Sequence, residues 1–298
     1  MDALRSIVVG VDFTPCAAAA LGQAIRLAAA SRARIHVAHI VDTLVAVSLT
    51  EELTSLQAEV TAGLLREAKE AWRAFCAGIP GAAELAFHVD VGSPAASLSR
   101  LCVEQRADLL VLGTHGHSPA ERGTGTMATQ CVRRAPVNVL LVHDSATGSF
   151  KNVLACVDFS PASKQAVDEA LRLAAVEGAV AHVLYVFTSP WEHMKMKAGA
   201  PEAAPAMRVS YARALQRQLE VFCGPARPEV TWAKPAFHAI PGENHGRAIC
   251  AFARMHDVDL VVMGARGHTN LRDVLLGSTA ERVVRHAQRS VLAIRPKG

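Results

Sequence analysis

The chain has 298 residues, enough for two domains of ordinary size. With 51% hydrophobic, 19% charged and 5% aromatic residues, its composition is that of a packed globular protein, which excludes a disordered, fibrous or disulfide-stapled chain. Thirty-one Lys and Arg against 27 Asp and Glu leave a net charge of +4 scattered along the sequence, so neither a nucleic-acid binder nor a membrane-surface binder is expected.

In chain order, the N-terminal MDALRSIVVGVDF has no basic segment followed by an apolar run and a small-residue cleavage site. No apolar run reaches the ~18 residues of a membrane span, and the expected location is the cytoplasm. Apolar, β-branched runs near residues 6–11, 34–41, 84–91, 108–113 and 137–142 predict strands buried on both faces. Ala-, Leu- and charge-rich stretches near 16–31, 50–77, 94–106 and 124–134 predict the helices between them. Thr14 is placed to cap the first helix, with Pro15 at its first position.

The same pattern then starts again. RSIVVGVDFTP (Arg5–Pro15) recurs as KNVLACVDFSP (Lys151–Pro161), with Ser160 in the capping position, and IHVAHIV (Ile35–Val41) recurs as AHVLYVF (Ala181–Phe187). FHVDVG (Phe87–Gly92) is echoed by FHAIPG (Phe237–Gly242), ADLLVLGTHGH (Ala107–His117) by VDLVVMGARGH (Val258–His268), and VNVLLV (Val137–Val142) by SVLAI (Ser290–Ile294). A repeat at this long period is a duplicated domain. The boundary falls in the polar stretch His143–Ser149, giving domains over 1–146 and 147–298. Five strands alternating with four helices in each copy, joined by right-handed crossovers, predict an α/β protein of two tandem, open, five-stranded parallel sheets with helices on both faces. Ligands then belong at the carboxyl ends of the strands.

Thr188–Ser210, with three prolines and three methionines, breaks the symmetry and is expected to be a surface loop, with a lid or partner contact as the alternative. Seven cysteines, an odd number without any C-x-x-C, are expected to be reduced thiols, and no zinc or redox motif is present. Phe75-Cys76 and Phe222-Cys223 occupy matching helix ends and are expected to be packing positions. His115 and His117 flank a glycine where a metal could sit, but no neighbour in sequence completes a ligand set, and no Ser-His-Asp or Cys-His constellation follows from spacing.

The chemistry concentrates after the fourth strand of the second copy. Gly264, two residues, Gly267, nine residues, Gly277 and Ser278 describe a loop that leaves a strand and returns into the helix STAERVVRHAQ. The glycines allow close backbone approach, and the helix N-terminus favours a phosphate, with Ser278 and Thr279 adding hydroxyls. The loop is neither a Walker A sequence nor the G-x-G-x-x-G fingerprint. G-x2-G-x9-G-[ST] after a D-L-V-V-M-G strand, the V-D-F-S-P start (Val157–Pro161) and the Leu184-Tyr185-Val186 strand end together resemble the universal stress protein family, as a tandem pair spanning essentially the whole chain.

That resemblance implies an adenine-nucleotide fold and an ATP site, with Mg2+ as the nucleotide's companion ion. It implies that Cys156 and Val157 line the base pocket, that Asp158 lies beside ribose and base, and that the Val186 main chain meets the adenine edge. Met263, Gly264 and Gly267 would border ribose and phosphate, and Gly277, Ser278 and Thr279 would hold the phosphate chain. Asp158 is equally a candidate cap for the helix starting at Ser160, and the two roles are compatible. Arg266 could pair with phosphate or stand as an exposed loop residue.

The first copy keeps Asp12, Ile40, Gly113 and Gly116, but only eight residues separate Gly116 from Gly125 and Thr126, so its phosphate loop is one residue short and degenerate. The expected function is a stress-response regulatory protein that binds ATP mainly in the C-terminal domain, with at most slow hydrolysis. The alternatives are a slow ATPase or nucleotide-dependent transferase, and a nucleotide-free scaffold. No Lys follows the glycines, which counts against rapid phosphoryl transfer. The expected partners are adenine nucleotide and a protein that the sequence does not identify, with no nucleic acid and no membrane. The two copies are expected to form an internal pseudo-dimer through Val137–Val142 and Ser290–Ile294, with homodimerisation as a further option.

Overall fold

The computed structural model describes residues 4–42, 57–116, 124–191, 205–224, 235–265 and 276–296. The chain divides into two compact units, Met1–Gly148 and Ser149–Gly298.

In the first unit the strands are β1 (Ser6–Gly10), β2 (Arg34–Asp42), β3 (Ala86–Gly92), β4 (Leu109–Gly113) and β5 (Asn138–Val142). The helices are α1 (Pro15–Ser31), α2 (Gln57–Cys76), α3 (Pro94–Glu104) and α4 (Thr126–Arg134). Every pairing is parallel, in the order β3-β2-β1-β4-β5. Ile7, Val8 and Val9 are wholly buried on the central strand because it is covered on both faces, by α1 on one and α3 on the other, which explains its unbroken β-branched run. The chain winds outward from β1 to β3 and then returns to β4 on the other side of β1. That reversal opens a crevice at the carboxyl ends of β1 and β4.

The second unit repeats this design with β6 (Asn152–Val157), β7 (Val180–Phe187), β8 (Ala236–Pro241), β9 (Leu260–Gly264) and β10 (Ser290–Ile294). Its helices are α5 (Pro161–Glu177), α6 (Pro205–Cys223), α7 (His245–Met255) and α8 (Ser278–His286). The parallel order is β8-β7-β6-β9-β10, with its crevice between β6 and β9. The fold class is therefore the expected one, a tandem α/β protein.

Local chemistry fixes the strand ends. Asp108 accepts hydrogen bonds from the N–H groups of Arg5 (2.7 Å) and Ser6 (3.1 Å), and Asp259 does the same for Lys151 (2.6 Å) and Asn152 (3.2 Å), so each aspartate pins the start of its unit's central strand. Burial pushes the Asp259 carboxyl above its usual range, opposed by those two N–H groups. At the other end Thr14 and Ser160 cap α1 and α5, accepting from Ala17 and Ser163, with Pro at the first helical turn as the sequence predicts.

Between strand and cap stand Phe13 and Phe159, both left-handed (φ 63° and 62°), a conformation that costs a non-glycine residue about 1–2 kcal/mol. Packing holds them there. Phe13 meets Phe75 edge-on at 5.6 Å between ring centres, and Phe159 meets Tyr185 at 4.7 Å and Phe222 at 5.2 Å. The paired Phe-Cys helix ends thus anchor these bends, and Cys76 and Cys223 are buried beside them. Trp72 stacks on Phe87 at 4.5 Å in the first unit, and Trp191 meets Tyr211 edge-on at 5.3 Å in the second.

One expectation is corrected. The segment read as a Thr188–Ser210 loop runs into helix from Pro205 onward, and Trp191 is buried before it. Proline at a helix start is compatible with helix because its missing N–H has no intrahelical acceptor there, so the Pro-rich composition marks a helix entry as well as a connection. The remainder of that segment, and residues 50–56 of the expected second helix, lie outside the described residues. Among the described residues no helix is long and apolar enough to cross a membrane.

Candidate functional site

In the second unit the carboxyl ends of β6, β7 and β9 and the N-termini of α7 and α8 enclose a cavity of about 380 Å³. Cys156, Val157, Asp158, Val186, Met263, Gly264, Gly277, Ser278 and Thr279 all line it, drawn together from across the second half of the chain. Gly267 and Arg266 lie outside the described residues. Cys156 lines the cavity, and burial raises its thiol far above the ordinary value, so the group is a neutral apolar surface.

Asp158 accepts from the Ser160 N–H at 3.0 Å and also lines the cavity, so the capping and site roles occur in one side chain. The start of α8 also lines the cavity. Gly277 occupies the cap position and makes no side-chain cap bond, and the first intrahelical bond runs from Glu281 N–H to the Gly277 carbonyl. The N–H groups of Ser278, Thr279 and Ala280 precede that bond and have no intrahelical acceptor. All three residues line the cavity, which gives it three donors, two hydroxyls and the positive end of a helix dipole.

Sequence reasoning did not single out Ser163, His245, Ile249 or Ala280 as lining residues. His245 opens α7, and its Nε2 lies 3.2 Å from Thr188 Oγ1. The signal available was Gly246 beside it: a Cβ there would stand 2.7 Å from Arg282 Cβ, so the missing side chain is what lets α7 approach α8.

The first unit has a cavity of about 390 Å³ in the matching place, lined by Asp12, Ile40, Gly113, Gly116, Gly125 and Thr126. Its α4 N-terminus repeats the arrangement, with Gly125 as an uncapped cap residue and Thr126, Met127 and Ala128 ahead of the first intrahelical bond. Asp12 accepts from Thr14 N–H (3.2 Å) and Oγ1 (2.6 Å), and a Cβ on Gly116 would lie 2.6 Å from its other oxygen. Gly10, Ala38 and Pro94 line this cavity where Cys156, Leu184 and His245 line the other, and Met127 replaces the Thr279 hydroxyl.

Beside the first cavity the structure assembles what spacing could not. Cys16 Sγ lies 3.8 Å from His115 Nδ1, and His115 Nε2 lies 3.6 Å from Asp144 Oδ2. Asp144 and Cys16 are thus the acidic and thiol neighbours that the sequence did not reveal, because they follow β5 and β1 while His115 follows β4. Cys16 is buried and its thiol donates to the Val142 carbonyl, which makes it a packed group. His117 lies outside the described residues. No group of three or more His, Cys, Asp or Glu side chains among the described residues is placed to hold a metal ion.

A parallel, doubly wound α/β module with a cavity at its strand reversal, present twice in one chain, is the class of protein this architecture defines. The Universal stress protein family matches residues 3–143 and again 149–295, and the chain belongs to that family as a tandem member. It is 34% identical over 151 residues to a universal stress protein of Mycobacterium tuberculosis, an alignment covering 48% of this chain and 99% of that one. The crystal structure of a universal stress protein from Archaeoglobus fulgidus superposes with a TM-score of 0.61 at 17% identity, covering 97% of this chain and 98% of the other. A universal stress protein solved in complex with cAMP is 29% identical, covering 48% of this chain and 99% of its own, with a TM-score of 0.33.

Proposed function

We propose that this protein is a regulatory adenine-nucleotide binder of the stress response, holding ATP in the cavity of the second unit and turning it over slowly if at all. The observation that carries this reading is the convergence on one cavity of the Ser278–Ala280 N–H groups, the Ser278 and Thr279 hydroxyls and the Asp158 carboxylate, together with the apolar Val157, Val186 and Met263. Phosphates would lie against the start of α8, a sugar hydroxyl would donate to Asp158, and the adenine edge would meet the Val186 main chain. Among the described residues Asp158 is the one carboxylate lining the cavity, and it accepts a hydrogen bond from Ser160. Magnesium would therefore be held chiefly by the phosphates and water. With no lysine in the glycine loop and no dedicated metal carboxylate among the described residues, the cavity has little to stabilise charge on a transferring phosphoryl group. The first unit, with one hydroxyl fewer at its helix N-terminus (Thr126 alone against Ser278 and Thr279) and a shortened loop, is the weaker site.

The test is thermal and calorimetric. ATP at about 100 times its dissociation constant should stabilise the protein by about 2.7 kcal/mol, with one tightly bound nucleotide per chain. Gly277→Val should abolish the shift, and Gly125→Val should leave it in place. cAMP serves as the competing ligand. An undiminished ATP shift in Gly277→Val, two equivalent sites, or steady turnover near the ~10 s⁻¹ of a typical enzyme would overturn the proposal.

A further inference from the structure

Away from both cavities, each unit carries a histidine pair on its two outer strands. His36 on β2 and His88 on β3 recur as His182 on β7 and His238 on β8. The register is the same in each: His36 is opposite Ala86 and His88 opposite Ala38, just as His182 is opposite Ala236 and His238 opposite Leu184. Two residues of diagonal offset place both rings of a pair on one face of the sheet. In the second unit His182 Nδ1 and His238 Nε2 share a hydrogen bond at 3.2 Å, whose proton a bound metal ion would displace. In the first unit the ring centres are 5.8 Å apart instead of 5.4 Å, and the corresponding atoms, His36 Nδ1 and His88 Nε2, are buried with no hydrogen-bond partner among the described residues. Buried polar nitrogens without partners are rare, and two on neighbouring rings require an explanation.

From this repeated juxtaposition we infer that each pair is a two-histidine chelate for a borderline divalent transition-metal ion of the zinc, nickel or copper class. Nitrogens bound to one such ion at about 2.0–2.1 Å in tetrahedral geometry stand about 3.4 Å apart, close to the separation in the second unit. Imidazole is the ligand type these ions prefer and magnesium does not. Burial, together with the neighbouring ring and Arg34, lowers the titration of His36, and burial with the neighbouring histidines lowers His182 and His238. Two protein donors leave the other coordination positions to water, consistent with the lack of any larger ligand group among the described residues. His256, whose ring centre is 5.4–5.5 Å from both His182 and His238, packs beside the second pair without making it a three-ligand group, and the first unit has Gln105 in its place.

The full-length protein, treated with EDTA and desalted, is titrated calorimetrically with ZnCl2, NiCl2 and MgCl2. Two zinc or nickel ions per chain and no magnesium are expected, with one ion lost in His88→Gln, one in His238→Gln and both in the double variant. Zinc K-edge absorption of the unmutated protein should show a first shell of nitrogen and oxygen with imidazole scattering, a readout independent of how the variants fold. Absence of zinc binding, unchanged stoichiometry in the double variant, or a sulfur first shell would overturn the inference. Nucleotide plays no part in these readings, so their outcome is separate from that of the ATP experiments.

Discussion

Gly246 shows how one absent methyl group shapes the candidate site. It sits in the first turn of α7, and a Cβ there would meet Arg282 Cβ at 2.7 Å, an atom anchored directly to the α8 backbone. Gly246→Ala should therefore push the two helix N-termini apart. Relief from glycine's helix penalty, about 1 kcal/mol, offsets part of an overpacking cost of about 1–3 kcal/mol. A net loss of about 1 kcal/mol in urea unfolding is expected, together with weaker ATP binding as the Ser278–Ala280 donors move. Gly22, inside α1 with nothing within 4 Å of its would-be Cβ, is the control, and Gly22→Ala should stabilise by up to about 1 kcal/mol. Equal effects at the two positions would contradict the packing explanation.

At the scale of elements, the β7–β8 pair makes acid stability a local property. His182 and His238 have titrations lowered by burial and by neighbouring imidazoles, with His256 and Phe252 completing the cluster. A folded value below the unfolded ~6.5 means that the unfolded chain binds more protons. The pair's stabilisation is therefore complete above pH ~6.5 and is lost as pH falls through the lowered folded values. Measured in EDTA, the unfolding midpoint should decline as the pH falls below about 6.5, and the His182→Gln, His238→Gln double variant should decline less. An identical slope in the two proteins would remove the histidines from the account.

The strands, the crossover helices and the Thr14 and Ser160 caps were legible in the sequence because each is written locally, in β-branched runs and Ser/Thr-Pro pairs. The cavity-lining residues of the glycine loop were legible because they recur after matching strands. Other features arise from long-range packing. Left-handed Phe13 and Phe159 have no local signature, since aromatic residues rarely adopt that conformation and these are held by rings far away in sequence. His115, Cys16 and Asp144 meet only because β4, β1 and β5 end side by side. The histidine pairs were visible as letters in both copies, but their partnership depends on strand register.

For the molecule as a whole, duplication preserves scaffold while the two cavities diverge. Both units keep the aspartate clamp, the left-handed phenylalanine and the uncapped helix N-terminus. They differ where a ligand would be read, in Gly10 against Cys156, Pro94 against His245 and Met127 against Thr279. If nucleotide binds as proposed, asymmetric occupancy is the expected outcome. In amide exchange, ATP should slow residues 157–163 and 277–283 much more than their counterparts 11–17 and 125–131. Equal protection of both sets would mean that the differences between the cavities do not govern binding.

The buried tryptophans give this asymmetry an optical handle. Trp72 lies stacked on Phe87 in the first unit, and Trp191 lies edge-on to Tyr211 in the second. Indole emission shifts to the red when a buried ring meets water, so each unit carries its own built-in fluorophore. Once Trp232 and, in turn, either Trp191 or Trp72 are replaced by phenylalanine, the two resulting single-tryptophan proteins would report the opening of each half separately, in the full-length chain and without any attached dye.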